Sequence, residues 1–355
     1  MVISYRPQDY DVLIGIDVDQ YSFSFTAKNM NYYNMQRTKK IPASAEDLEN
    51  YINKNFAKRK VLCAYEAGPT GYHLYDYLNQ HCIDCVVVSP TSIPHSPNER
   101  VKTNRIDSRK LTQHLSNCDL KAVRVPEGAY RQLRHLVAIR ELYSYKRKAT
   151  KQRIKALLLL EHFIPILERI DKNYSANQIR LLRDFPCNQA VRCRLDLLLD
   201  DLAYARAKIL SIHRAMREFI KQHPEIKDNI QYLRSLPGVG FVYAVGVLGK
   251  IGDPQYLRSP REIAAFVGLV PKEKSTGDKI KRSSITHIGS QSLRFLLIEA
   301  AWVAIRHDTH LGQCYHRIRK RHHPGIGAQK AITAIARKLT ERMYRVLKEQ
   351  RLYRK

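Results

Sequence analysis

The sequence predicts an α/β domain followed by an all-α remainder, and three observations carry that reading. Short apolar runs of strand length, punctuated by Gly, Pro and Asn, fill residues 1–126. Residues 127–229 repeat apolar side chains at spacings of three and four, the mark of a helix face. Residues 230–355 hold further helix-length segments and become strongly basic. A chain of 355 residues has room for two or three domains rather than one core.

Val12–Ile16 is a continuous apolar run and reads as a buried strand. Tyr21–Ala27 alternates Phe23 and Phe25 with Ser22, Ser24 and Thr26, which predicts a half-exposed strand beside it. A helix starts near Ser44, with Glu46 in its first turn and Leu48, Tyr51 and Ile52 on one face. Val61–Tyr65 is another buried strand, broken by Gly68-Pro-Thr-Gly71 before a helix carrying Leu74, Tyr75 and Leu78. Cys85–Val88 is the next strand, and Pro90, Pro94 and Pro97 mark a loop. A helix resumes near Asp107 with Leu111 and Leu115. Strand, hairpin, helix, strand, helix, strand, helix is the order of a ribonuclease-H-like domain.

Further on, Leu195, Leu198, Leu202, Ala205, Ile209, Ile212, Met216 and Phe219 form an a/d seam. The segment Leu133–Leu160 is apolar at helical spacing but less regular, and Pro165 and Pro186 interrupt the region between the two. An intramolecular helical hairpin and a dimerising coiled coil both satisfy this pattern. Leu236-Pro-Gly-Val-Gly240 then precedes a helix over Phe241–Lys250. This is the signature of a helix-hairpin-helix, in which Gly238 and Gly240 leave backbone N–H groups free for a phosphate. A helix over residues 260–268, a polar loop from Lys272 to Ser284, a helix over residues 290–306 and two basic helices complete the chain.

Lys and Arg total 61 against 33 Asp and Glu, a formal charge of +28. Thirteen of the basic residues and only two Glu fall between His316 and Lys355, a basic tail. Self-repulsion on that scale points to a polyanionic partner, with nucleic acid ahead of an anionic membrane. The longest apolar stretch, Phe241–Gly249, is far too short to span a bilayer, so no membrane role is expected. Seven cysteines without framework spacing suggest reduced thiols in a cytosol. Cys82 and Cys85 form one CxxC, and Cys314 sits among His307, His310 and His316, but neither group has the second pair that zinc needs.

Three carboxylates stand where an apolar strand ends or a helix begins: Asp17 in Val12-Leu-Ile-Gly-Ile-Asp-Val-Asp19, Glu66 in Val61-Leu-Cys-Ala-Tyr-Glu66, and Asp107. Such placement favours a hard divalent cation, Mg²⁺ or Mn²⁺, which takes oxygen ligands and serves phosphodiester chemistry. Asp19 lies two residues beyond Asp17, on the same side by strand alternation.

These segments together resemble the DEDD-type insertion-sequence transposases, the bridge-RNA-guided recombinase family related to the Piv pilin-gene invertase. Gly15-Ile-Asp17 is similar to its first-strand acid motif, Tyr65-Glu-Ala-Gly-Pro-Thr-Gly-Tyr72 to its second, and Lys102-Thr-Asn-Arg-Ile-Asp107 to its third. Leu236-Pro-Gly-Val-Gly240, Phe266-Val-Gly-Leu-Val-Pro271, Ser275-Thr-Gly277 and Gly289-Ser-Gln-Ser-Leu-Arg294 follow the pattern of its C-terminal transposase domain. The resemblance implies a RuvC-like domain holding Mg²⁺ on four acids and a serine that becomes joined to DNA. It also implies a homo-oligomer, dimer or tetramer, and a structured guide RNA that pairs with donor and target DNA in the prokaryotic cytosol or nucleoid. Lys272, Lys274, Lys279, Lys281 and Arg294 would meet nucleic acid, together with Gly238 and Gly240.

The sequence departs from that pattern twice. Asn104 stands where the family has an acid, and Thr276, preceded by Ser275, stands where the family commonly has its serine. A relative that binds DNA and RNA but has lost catalysis is therefore one alternative, and a Holliday-junction-type metal-dependent nuclease is another. An actin-like sugar kinase also begins with an Ile-Asp strand and hairpin, but its second glycine-rich phosphate loop has no counterpart past Glu127.

Overall fold

The structure is a computed structural model, and it describes residues 2–3, 5–31, 38–90, 93, 103–171, 173–276, 279–286 and 289–354. Pro94, Pro97 and Lys102 lie outside the described residues. The chain divides into two compact units, Met1–Val125 and Pro126–Lys355, so residues 127–229 and 230–355 share the second unit.

The first unit is built on a mixed sheet. Its strands are β1 (Val2–Ile3), β2 (Val12–Val18), β3 (Ser22–Asn29), β4 (Lys39–Pro42), β5 (Val61–Glu66), β6 (Asp84–Val88) and β7 (Ala122–Val123). Their spatial order is β1-β7-β6-β5-β2-β3-β4, with β2, β5 and β6 parallel and the others antiparallel to their neighbours. The helices are α1 (Ala45–Asn55), α2 (His73–Gln80) and α3 (Asn104–Ser116). Ser44 caps α1 by accepting from the Asp47 N–H at 3.0 Å, which fixes the expected start.

Strand alternation splits the core between the two sheet faces. Val12, Ile14, Ile16, Phe25 and Tyr65 pack with Leu48 of α1 and Leu74 of α2. Leu13, Leu62 and Ala64 pack on the opposite face with Leu111 and Leu115 of α3. The alternating strand is not half-exposed, as its pattern had suggested: Ser22, Ser24 and Thr26 are all buried beneath α3. Their polarity is tolerated because α3 answers it with hydroxyls, Ser108 lying 3.1 Å from Thr26 Oγ1 and Thr112 Oγ1 donating to the Thr26 carbonyl at 2.8 Å. The short polar strand β4 carried no apolar alternation and was not anticipated.

The second unit is helical apart from one strand pair. Its helices are α4 (Gly128–Leu160), α5 (Ile164–Glu168), α6 (Ala176–Asp184), α7 (Gln189–Lys221), α8 (Pro224–Arg234), α9 (Phe241–Ile251), α10 (Pro260–Val267), α11 (Gln291–His307), α12 (Thr309–Lys320) and α13 (Pro324–Lys348). Helices α4 and α7 run antiparallel, as the Arg140–His213 and Tyr143–Tyr204 contacts require. Ile154, Leu157 and Leu158 of α4 meet Leu195, Leu199 and Leu202 of α7. The a/d seam is thus filled from within the chain, and it drifts by one position at each end: Leu199 and Ile220 are buried where Leu198 and Phe219 had been expected. The two basic helices expected at the end are α12 and α13, and α13 buries Ala331, Ile335, Leu339 and Met343 and packs on α10, α11 and α12.

The polar loop expected from Lys272 to Ser284 is instead an antiparallel pair, β8 (Pro271–Thr276) and β9 (Lys279–Ile285). Thr276 pairs with Lys279, leaving two residues between the strands, Gly277-Asp278 in the sequence. A two-residue Gly-Asp spacer is a hairpin signal, but the flanking segments lack the apolar alternation that marks strands. Among the described residues, no helix is long and apolar enough to cross a membrane.

Candidate active site

Gly15 decides how the acids are presented. Its N–H donates to Thr112 Oγ1 at 3.0 Å, and a Cβ there would lie 2.5 Å from the Thr112 nitrogen and 2.7 Å from the Ser108 carbonyl oxygen. Only glycine lets α3 come this close to β2. Leu13, Gly15 and Asp17 therefore alternate onto the α3 face of the sheet, as do Leu62, Ala64 and Glu66 on β5. The parallel register Ile16↔Tyr65 sets Asp17 and Glu66 next to one another in sequence order on adjacent strands, at their carboxyl ends. In open α/β sheets that end of the strands is where ligands bind.

Helix α3 supplies the other side of this face. Its N-cap is Thr103, whose side chain accepts from the Ile106 N–H at 3.3 Å, so the helix begins earlier than expected, at Asn104. Asn104 and Asp107 are i and i+3 and share one helical face in the first turn. Glu66 and Asn104 are exposed, and Asp17 and Asp107 are half-buried. Asp19 lies just beyond β2 and serves the hairpin turn, its Oδ1 accepting from the Gln20 N–H at 2.8 Å. After Glu66 the chain turns at residues 68–71, where Tyr65 Oη donates to the Gly71 carbonyl at 3.1 Å.

Three carboxylates and one amide carbonyl are all hard oxygen donors, the set that suits Mg²⁺ or Mn²⁺. Among the described residues, no three His, Cys, Asp or Glu side chains are gathered tightly enough to hold a metal ion. Fold and register bring the acids to one face and one end of the sheet; in this conformation the side chains do not converge. All seven cysteines are unpaired, and Cys314 is buried with Arg317 Nη2 3.7 Å from its Sγ.

The expected nucleic-acid contacts divide into three kinds. Gly240 is the exposed N-cap of α9, with no side chain capping the helix. Gly238 has φ +81°, and its missing Cβ makes room for the Ala300 carbonyl of α11, which a Cβ would meet at 2.3 Å. Its role in the fold is close packing. Arg294, expected to face nucleic acid, is instead buried, with Nη1 donating to the Val267 carbonyl at 2.8 Å and so binding the end of α10. Lys272 is exposed. Ser275, Thr276, Lys274, Lys279 and Lys281 occupy paired positions of β8 and β9, and their side chains lie outside the described residues.

A carboxylate that sequence reading passed over sits at Asp308, the N-cap of α12. It is 3% exposed, accepts from the Leu311 N–H at 2.9 Å, and takes Arg342 Nη1 and Tyr353 Oη, each at 2.6 Å, on Oδ2. Burial pushes this carboxyl up, but the hydrogen bonds from Tyr353, Leu311 and Arg342 outweigh it and hold the group below the usual range.

A family model described as a transposase, that of DEDD-type IS110 enzymes, matches residues 14–163, and one described as the transposase IS116/IS110/IS902 family matches residues 230–317. The Sinorhizobium fredii protein y4qE, whose name describes a transposase, is 31% identical over 301 residues, covering 83% of this chain and 72% of that protein. The Coxiella burnetii transposase for insertion sequence element IS1111A is 25% identical over 305 residues, 84% and 81% of the two chains. The pilin gene-inverting protein of Moraxella bovis is 26% identical over 157 residues, 44% and 48%. The first match takes in both strand-end acids and the whole of α3, and implies dependence on a divalent metal. With one match taking in Asp17, Glu66 and α3, the other taking in α9 to α11, and a transposase relative aligned over most of both chains, the chain is a DNA-cleaving recombinase that belongs to the IS110/IS116/IS902 family of transposases.

Proposed function

We propose that this transposase exchanges DNA strands under the direction of a structured RNA, with Asp17, Glu66 and Asp107 holding Mg²⁺ or Mn²⁺ and Ser275 or Thr276 attacking the DNA. The observation that carries the metal assignment is the shared face: adjacent parallel strands and the first turn of α3 present all three acids on one side of the sheet. A bound divalent ion supplies charge neutralisation at the scissile phosphate and makes the attacking hydroxyl easier to deprotonate. Asn104 offers a neutral carbonyl oxygen beside Asp107. The capped first turn keeps both at a fixed spacing.

Ser275 and Thr276 sit on a strand pair that also carries Lys274, Lys279 and Lys281. These three lysines and Lys272 of the same ribbon would neutralise the phosphates of DNA brought to the hydroxyl. A homo-oligomer, dimer or tetramer, lets the ribbon of one protomer serve the acids of another. The guide RNA is supported by the resemblance, and the +28 charge suits a polyanionic partner.

The test is to trap the reaction on a nicked suicide DNA substrate, denature it and map the attached peptide by mass spectrometry. The expected adduct lies at Ser275 or Thr276 and requires divalent metal. A Ser275→Ala, Thr276→Val variant that still forms it overturns the nucleophile. Sequencing the RNA that co-purifies with the protein tests the guide; its absence from active protein overturns that part. Asn104 favours a second reading, a relative with impaired metal binding. Under it, Asn104→Asp raises metal affinity and restores strand exchange to a wild-type protein that lacks it.

A further inference from the structure

The hairpin of α4 and α7 carries a grouping that neither the acids nor the strand pair uses. Arg140 Nε donates to His213 Nε2 at 3.2 Å, Lys151 Nζ donates to the Asn173 carbonyl at 3.4 Å, and Arg206 Nη2 donates to the carbonyls of Asn173 and Tyr174. These partners of Arg140 and Arg206 are neutral, so they satisfy hydrogen bonds without cancelling charge, whereas Lys151 also feels the carboxylate of Asp171. Glu141, the acid beside Arg140, is itself held by Lys250 at 2.8 Å. Burial, then the charge of Arg147, lowers Arg140 and Arg206; burial, then Arg206 and Arg147, lowers Lys151. Burial, followed by Arg140, Arg217 and Arg147, also lowers His213. Cations packed this closely repel one another, and a polyanion relieves that repulsion.

Aromatic rings are interleaved with the charge. Tyr143 and Tyr204 meet edge to face at 6.2 Å and 61°, Lys146 Nζ stands 5.2 Å from the Tyr143 ring, and Lys208 Nζ stands 5.2 Å from the Tyr204 ring. Tyr145 is 72% exposed and Tyr204 56% exposed. Together with Lys146, Thr150, Arg153 and one acid, Asp201, the three tyrosines line a cavity of about 340 Å³, so its rim carries two cations against one carboxylate. That is within the size class of small-ligand sites, roughly 300–1,000 Å³. The rings are not needed for the hairpin core, which is made by Ile154, Leu157, Leu195, Leu199 and Leu202. Wet tyrosine faces flanked by cations are what an unpaired base seeks: the ring stacks, and the cation holds the adjacent phosphate. A duplex keeps its bases stacked internally and offers no such face.

We propose that the α4–α7 hairpin binds unpaired nucleotides, with a base entering the cavity between Tyr143, Tyr145 and Tyr204 and the neighbouring phosphates held by Arg147, Lys151 and Arg153. This site requires neither the acids nor a covalent step, so it stands or falls separately from the proposed function. The experiment measures fluorescence anisotropy of the full-length protein with a short single-stranded DNA, the RNA of the same sequence, and the corresponding duplex. A Tyr145→Ala, Tyr204→Ala variant is expected to bind at least one single strand about tenfold or more weakly, the scale of a lost stack. Its duplex affinity and melting temperature stay as in wild type. The Tyr145→Phe, Tyr204→Phe variant keeps the rings and binds like wild type. Loss on RNA alone or DNA alone supports the site and identifies the source of the strand. Unchanged single-strand binding in the alanine variant overturns the proposal, as does an equal loss on duplex. Sedimentation showing that the alanine variant dissociates from dimer to monomer without nucleic acid assigns the face to a second copy instead, and overturns it too.

Discussion

Asp308 at the head of α12 and the acids at the ends of β2 and β5 are the same functional group put to opposite uses. Asp308 is buried and fully engaged, by Arg342 from α13, by Tyr353, and by the backbone of its own helix. Glu66 is exposed, Asp17 and Asp107 are half-buried, and all three face the same side of the sheet. A carboxylate neutralised by its own protein holds helices together. The strand-end acids instead stand where β2 and β5 open towards solvent, the end of an α/β sheet at which ligands bind. The contrast also separates what each should do when removed.

The largest effect is expected where the acids face outward. Asp17→Ala should lower recombination by about three orders of magnitude, the several kcal/mol that a bound cation contributes, while the melting temperature stays near wild type. Normal recombination by this variant would break the comparison at its active-site end. Asp308→Ala should do the reverse in kind: it leaves Arg342 without its buried partner and should cost about 3–5 kcal/mol of stability, read by urea unfolding of the full chain. A loss under 1 kcal/mol, the scale of an exposed ion pair, would show that the node is only a surface contact.

Gly15→Ala joins the two kinds of effect. The added Cβ must push α3 away from β2, at a cost of about 1–3 kcal/mol, and displaces Asp107 from the strand-end acids. Both stability and metal-dependent cleavage should fall, and a stable variant with lost cleavage would locate the damage in acid geometry alone. Acid titration gives a smaller and sharper signal. The Asp308 carboxyl is lower in the folded chain than in the unfolded one, so the unfolded state binds its proton first. Its contribution is full above the ordinary value of about 3.9 and is lost as pH falls below it through the folded value. Asp308→Asn should therefore flatten stability against pH in that acid window and leave the neutral range parallel. The smallest effect is on salt dependence. Arg319→Gln, Lys320→Gln removes two exposed cations from α12, and if both meet phosphate the slope of log K against log salt should become shallower by about 1.8.

The acids were legible because each lies at the end of an apolar run, where strand alternation fixes its face without any knowledge of partners. The α7 seam was legible for a similar reason, although the drift of 3.6-residue helices against a seven-residue repeat exchanged Leu198 for Leu199. What escaped depends on distant partners. Thr112, which receives Gly15, is 97 residues away from it, and Tyr353 is 45 from Asp308. Arg294 was expected to meet nucleic acid because it closes the Gly289-Ser-Gln-Ser-Leu-Arg294 segment of the resemblance; the Val267 carbonyl that receives it lies 27 residues away in sequence. The β8–β9 pair was hidden by its lysines, which suit a solvated ribbon as well as a loop.

The hydrogen bond from the Tyr353 N–H to Ser235 Oγ, at 2.8 Å, closes the second unit across 118 residues, and Tyr243 Oη reaches Met343 Sδ across 100. On the ribosome this sets an order of events. Residues 1–125 form a contiguous unit and can fold as they emerge, whereas α8, α10 and α11 wait for α13 to cover them. The face that carries the acids is therefore complete before the basic helical unit is.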